Sequence, residues 1–172
     1  SGARKVDFPE GFDGLDFPEA WILSELDRMI ASVTGSMESF RLNEALNSLY
    51  DFFWHTFCDW YLEISKVHQE RDAEYFRDKV VPVLFHAHLT VMKMLHPFIP
   101  FITEKIWQVF SEYRTADAES ICVSRWPLAA NSGAAAAKTE VDGIIETVTA
   151  IRDVKTRFGV PVVKPIDCYF DV

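Results

Sequence analysis

The sequence predicts a mainly α protein: an antiparallel helical bundle with a small C-terminal α+β appendage. Three observations carry this expectation. Apolar residues recur every three or four positions in four segments between about residues 15 and 114. The connections between these segments are short, as antiparallel neighbours in a bundle require. Prolines fall at the segment ends, where a helix tolerates them.

The first segment opens with "LDFPEAWILSEL". Asp16 is placed as an N-cap, with Pro18 in the first turn and Glu19 three residues on, the spacing of a capping box. Ile22, Leu26, Met29, Ile30 and Val33 keep one apolar face to about Met37.

The second segment runs from Arg41 to about Lys66 and contains "FFWHTFCDWYLEISK". Leu42, Leu46, Leu49, Phe53, Phe57, Trp60 and Ile64 form the expected core line. A second apolar line holds Tyr50, Trp54, Cys58 and Tyr61. Glu44, Ser48, Asp51, His55, Asp59 and Lys66 complete the circumference as a polar line. So wide an apolar sector implies contact with at least two neighbouring helices.

"HQERDAEYFRDK" reads as a short helix or an ordered loop. Pro82 begins or kinks the third segment, "PVLFHAHLTVMKML". "HPFIP" breaks the chain, and "FITEKIWQVFSEY" restarts it as the fourth segment. The bundle is therefore expected over residues 15–114. Residues 115–140 lack a helical period and read as an irregular linker. Residues 141–172 read as a fifth helix followed by the strand-like "VPVVKPIDCYFDV". The strand lies at the end of the chain, which suggests a piece of something longer.

Composition removes several classes of function. No apolar run reaches the roughly 18 residues of a membrane span, and the N-terminal stretch lacks the apolar core of a signal peptide. Three scattered cysteines without a C-x-x-C point to free thiols in a reducing compartment. The net charge of −9 argues against a broad phosphate-binding surface, though not against a small base-reading site. The glycines form no phosphate loop, and neither G-x-S-x-G nor H-E-x-x-H is present. No catalytic constellation emerges. His86 and His88 point to different sides of a helix, where they are read as hydrogen-bonded surface histidines. His55, Cys58 and Asp59 offer too few ligands for zinc, and Cys58 reads as a packed small hydrophobe. No metal or catalytic residue is assigned.

Three stretches together resemble one family. "FRLNEALNSLYDFFWHTFCDWYLEISK" (40–66) is similar to the long second helix of class I aminoacyl-tRNA synthetase anticodon-binding domains, and its "FCDWYLE" resembles the valyl type. "MLHPFIPFITEKIWQ" (94–108) resembles the "LHPFxPFITEExW" turn and helix of valyl-, leucyl- and isoleucyl-type enzymes. "IRDVKTRFGVPVVKP" (151–165) resembles "IRxIRxExNVPPxK", with Arg157 where the family usually has Glu. "WILSELD" (21–27) matches "WILSRLN" upstream.

This resemblance implies a fragment that binds the anticodon stem-loop of tRNA(Val). The rest of the parent synthetase, in the cytoplasm, would ligate valine to that tRNA with ATP and Mg2+. Nothing here resembles the HIGH or KMSKS signatures, so neither catalysis nor a cofactor is expected of this chain. The same domain of an isoleucyl or leucyl enzyme, or a free-standing helical interaction module, are the alternatives.

RNA sequence is read mainly at unstacked loop bases. The valine anticodon ends in A then C, and the cytosine amino group favours a carboxylate or amide acceptor. The tRNA-binding candidates are accordingly Trp54 and Tyr61 for stacking, Asp59 or Glu63 as acceptors, and Lys66 for a phosphate. Each also has a plainer role as a packing or solvated residue.

Overall fold

The computed structural model describes residues 14–113, 118–129 and 135–161. Five helices make up most of it. Helix α1 is Phe17–Glu38. Helix α2 runs unbroken over residues 42–71, in α geometry at Leu42–Tyr50, π-wound at Asp51–Tyr61 and α again at Leu62–Arg71. Helix α3 covers residues 73–95, with a π-wound turn at Phe76–Val80. Helix α4 is Pro100–Val109, and α5 is Ala135–Arg157. The described residues contain no strand.

Local chemistry explains most of the boundaries. Asp72 caps α3 by accepting from the N–H groups of Glu74 and Tyr75. Pro82 lacks the N–H that would bond one turn back, and the π-wound turn lies immediately before it. Residues 96–99 form the turn expected of "HPFIP", and Pro100 opens α4. Between α1 and α2 the N–H of Arg41 reaches back to the carbonyl of Ser36 at 2.8 Å, with Phe40 in the left-handed region at φ 58°. That position usually goes to glycine.

The N-terminus of α1 departs from the expected capping box. Asp16 is the N-cap residue, but its side chain bonds no helical N–H. Glu19 turns into the core and is fully buried. Its Oε1 accepts from the Tyr61 hydroxyl at 3.2 Å and its Oε2 from the Tyr75 hydroxyl at 2.9 Å. Tyr75 Oη in turn accepts from the Asp16 N–H at 2.6 Å. Two tyrosines compete for the carboxylate that a capping box would have used locally.

The π-wound section redraws the faces of α2. The core takes Ala45, Leu49, Phe52, Phe57, Tyr61 and Ser65. The step of five from Phe52 to Phe57 is the repeat that an i→i+5 turn places on one side, and Leu62 N–H bonds to Phe57 carbonyl in that pattern. The expected 3.6-residue line is broken accordingly. Leu42 and Leu46 are exposed, and Phe53, Trp60 and Ile64 are only half-buried. Phe53 stacks on Phe57 at 5.9 Å between centroids, and Phe57 meets Tyr61 at 6.1 Å.

Among the described residues, α5 does not stand apart as an appendage. Helix α5 begins at Ala135, inside the stretch read as linker, and packs along α1. Val141 is buried there, and Lys138 Nζ bonds Glu25 Oε1 at 3.0 Å. Farther along, the Arg152 guanidinium lies over the Trp60 ring, 5.1 Å from its centroid. Residues 118–129 are irregular apart from one 3-10 turn, Ile121–Val123. They are still anchored: Trp126 Nε1 donates to Thr34 Oγ1, and Trp107 Nε1 to the Ala118 carbonyl. The strand expected near the C-terminus falls mainly on residues 162–172, outside those described.

Phe57→Ala is expected to lower stability by about 3–5 kcal/mol, because it removes a buried ring and leaves a cavity. Leu46→Ala, at an exposed position of the same helix, is expected to cost less than about 1 kcal/mol. Urea unfolding of both variants checks the redrawn core line.

Candidate nucleic-acid interface

Helix α2 presents one continuous outward surface. Its N-terminal half carries an exposed apolar strip, Leu42, Leu46, Tyr50 and Trp54, in steps of four. Trp54, at 51% exposure, ends the strip. A polar ridge follows. The His55 ring stands edge-on to Tyr50 at 5.8 Å, and its Nδ1 meets Asp59 Oδ2 at 3.2 Å. One turn on, Lys66 Nζ donates to Glu63 Oε1 at 2.6 Å. Both contacts are exposed, so each adds little stability, of the order of 0–1 kcal/mol. They leave two carboxylates and an ammonium on the same helix surface as an exposed indole.

Of the five candidate side chains, Trp54, Asp59, Glu63 and Lys66 lie on this surface. Tyr61 does not. It is fully buried and hydrogen-bonded to Glu19, so it offers no face to a base. The reason is again the winding of α2: Tyr61 lies four residues beyond Phe57 and continues the core line. His55 belongs with the surface set, beyond the polar-line and zinc readings that the sequence offers for it; the i, i+4 spacing to Asp59 is the available signal. Trp60 is half-buried, with Arg152 on its face, and combines packing with a cation–π contact.

Cys58 lies on the inner side of α2, packed against the core. Burial, helped by the charge of Asp59, pushes its thiol up. It does not join His55 and Asp59, whose facing atoms bond each other. His86 and His88 are half-buried rather than at the surface. Burial, with Lys93 assisting and Asp27 opposing, lowers His86 to about 4, and burial also lowers His88. Both imidazoles thereby favour the neutral form that packs against neighbouring helices.

Asp16, Glu19 and His68 each bring one potential metal-ligand atom within 4.8 Å of the others. His68 Nε2 lies 3.9 Å from Glu19 Oε2. Both Glu19 oxygens already accept from tyrosine hydroxyls, so the arrangement functions as a hydrogen-bonded clamp. Burial raises the Glu19 carboxyl above the usual carboxylate range, against the Tyr75 bond, the His68 charge and the Tyr61 bond. The same desolvation, with Glu19 beside them, pushes both tyrosines far up.

A family model described as the anticodon-binding domain of tRNA ligase matches residues 19–169. The chain belongs to this anticodon-binding domain family. Its relatives include the valine–tRNA ligase of Listeria innocua, 34% identical over 86% of this chain and 16% of that protein. The valine–tRNA ligase of Rhizobium meliloti is 37% identical over 82% of this chain and 15% of its own length. That of Latilactobacillus sakei is 34% identical over 92% and 18%. The chain thus spans about one-sixth of the length of these ligases. The matched residues take in α2 to α5 whole and all but the first two residues of α1.

The raised Glu19 carboxyl fixes a sign. A proton is held more tightly by the folded chain than by the unfolded one, so this contribution is fully present below the ordinary carboxylate range. It is lost as pH rises through the raised folded value. Glu19→Gln mimics the neutral form. Relative to Glu19→Gln, the unmodified protein should lose stability as pH climbs upward from the ordinary carboxylate range. Urea unfolding of both proteins from that range upward, read as a difference, isolates Glu19 from the other carboxylates.

Proposed function

We propose that this chain is the anticodon-reading part of a valine–tRNA ligase, and that the outward side of α2 contacts the anticodon stem-loop of tRNA(Val). The observation that carries the reading is the exposed Trp54 on the same helix surface as the His55–Asp59 pair. Valine–tRNA ligases among the relatives support the choice of tRNA. An open indole stacks an unpaired base, worth roughly 1–3 kcal/mol. Asp59, with Oδ2 oriented by His55, accepts from the amino group of the last anticodon cytosine. Glu63 is the alternative acceptor one turn on, and Lys66 meets a phosphate.

Ligation of valine, with its ATP and Mg2+, belongs to the remainder of such a ligase, acting in the cytoplasm. The acidic balance of this chain fits a division in which most phosphate contact lies elsewhere. Among the described residues, no helix is long and apolar enough to cross a membrane.

In a full-length ligase carrying this domain, Trp54→Ala is expected to weaken binding of the anticodon stem-loop by about 1–3 kcal/mol. Asp59→Ala should reduce discrimination of the last anticodon base by about 1–3 kcal/mol. Lys66→Ala should weaken all anticodons alike and lower the salt slope by about 1. Titrations with hairpins varied at each anticodon position, at two salt concentrations, separate these effects. Uniform affinity across anticodons would turn the assignment toward a protein-interaction module.

The isolated chain is expected to give no valine-dependent pyrophosphate exchange. Exchange by purified chain, free of full-length enzyme, would overturn the division of labour.

A further inference from the structure

A second cluster lies where the "HPFIPFIT" stretch meets the irregular segment 118–129. His96 Nε2 is 3.0 Å from Cys122 Sγ, and His96 Nδ1 is 2.8 Å from Thr103 Oγ1. Thr103 is fully buried, and its hydroxyl donates to the Ile99 carbonyl at 2.9 Å, with the Pro100 carbonyl at 3.1 Å. With that proton directed to a backbone carbonyl, Thr103 Oγ1 accepts from His96 Nδ1. Neutral His96 then carries its proton on Nδ1 and leaves Nε2 as the acceptor for the Cys122 S–H.

The thiol is exposed but not loosely held. It sits in the 3-10 turn Ile121–Val123, whose Ile121 is buried. Glu104 Oε2 accepts from both the Ile121 N–H and the Ser120 hydroxyl, and Ser120 Oγ caps the Cys122 N–H. Gln108 first, then Ser120, Ile121 and the nearby His96, hold the Glu104 carboxyl below its usual range. One turn before His96, Lys93 lies over the Trp107 ring.

We propose that Cys122 is a modification site: an exposed thiol activated by His96, with Thr103 as the positioning residue, that exchanges with small disulfides. His96 Nε2 takes the S–H proton. The Cys122 thiolate attacks one sulfur of the disulfide, whose S–S bond breaks as a mixed disulfide to Cys122 forms. The departing thiolate takes the proton from the imidazolium and leaves as a thiol. Cys122 is oxidised, one sulfur of the small disulfide is reduced, and His96 returns to its starting form. Cys58, half-buried and without a base, lacks both requirements.

The test treats the intact chain with oxidised glutathione, and separately with iodoacetamide, at neutral pH. Peptide mass mapping follows each cysteine. Cys122 in the folded chain should react about tenfold faster than in the same chain unfolded in urea. His96→Asn, checked for native circular dichroism, should remove that gain. Thr103→Val should remove it as well, while Thr103→Ser keeps it, since only serine preserves the acceptor for His96 Nδ1. A Cys122 rate no higher folded than unfolded overturns the proposal whatever the variants do. So does an unchanged rate in natively folded His96→Asn. Where that variant loses its native signal, equal rates for Thr103→Val and Thr103→Ser overturn it instead.

Discussion

The buried carboxylate of Glu19 is the point on which the arrangement of the first three helices turns. It sits at the start of α1, takes one hydroxyl from Tyr61 in α2 and another from Tyr75 at the start of α3. A buried carboxylate left without donors is among the costlier defects a fold can carry. Any shift of α1 along α2, or of α3 away from either, breaks at least one of these bonds. The clamp therefore fixes register as well as contact, which nonspecific apolar packing does poorly.

From that fixed end, the surface of α2 follows. Once Tyr61 is drawn inward and Phe57 and Phe52 lie behind it, Trp54, His55, Asp59, Glu63 and Lys66 have nowhere to go but outward. The buried network and the exposed ridge are two faces of one helical setting. Helix α5 adds a second constraint. It lies along α1 and lays Arg152 over the Trp60 ring of α2, while the ridge's carboxylates stay exposed.

The far end of the bundle is organised differently. There the chain turns at "HPFIP", and the irregular segment after α4 is tied down by Glu104, Trp107 and Thr34 rather than by regular structure. Polar side chains substitute for a backbone ladder, which is why a stretch with no period can still be ordered. The same ties bring Cys122 to His96, residues 26 apart in sequence.

Sequence alone determined the helices, most of their breaks and the family. Local signals decide these: proline geometry at residues 82 and 97–100, apolar recurrence, and the ordered succession of "FCDWYLE" and "HPFIPFITE". It also put Trp54, Asp59, Glu63 and Lys66 among the outward candidates. Tertiary structure decided the rest. Periodicity assumes 3.6 residues per turn, and the π-wound section from Asp51 to Tyr61 breaks that assumption, so one line cannot hold both Leu42 and Leu46, which are exposed, and the buried Phe57 and Tyr61. The choice between a local cap and a long-range clamp at Glu19 was settled by tyrosines 42 and 56 residues away. No window of sequence contains that competition. The placement of α5 against α1 likewise rests on partners as distant as Lys138 and Glu25, and only the folded chain brings them together.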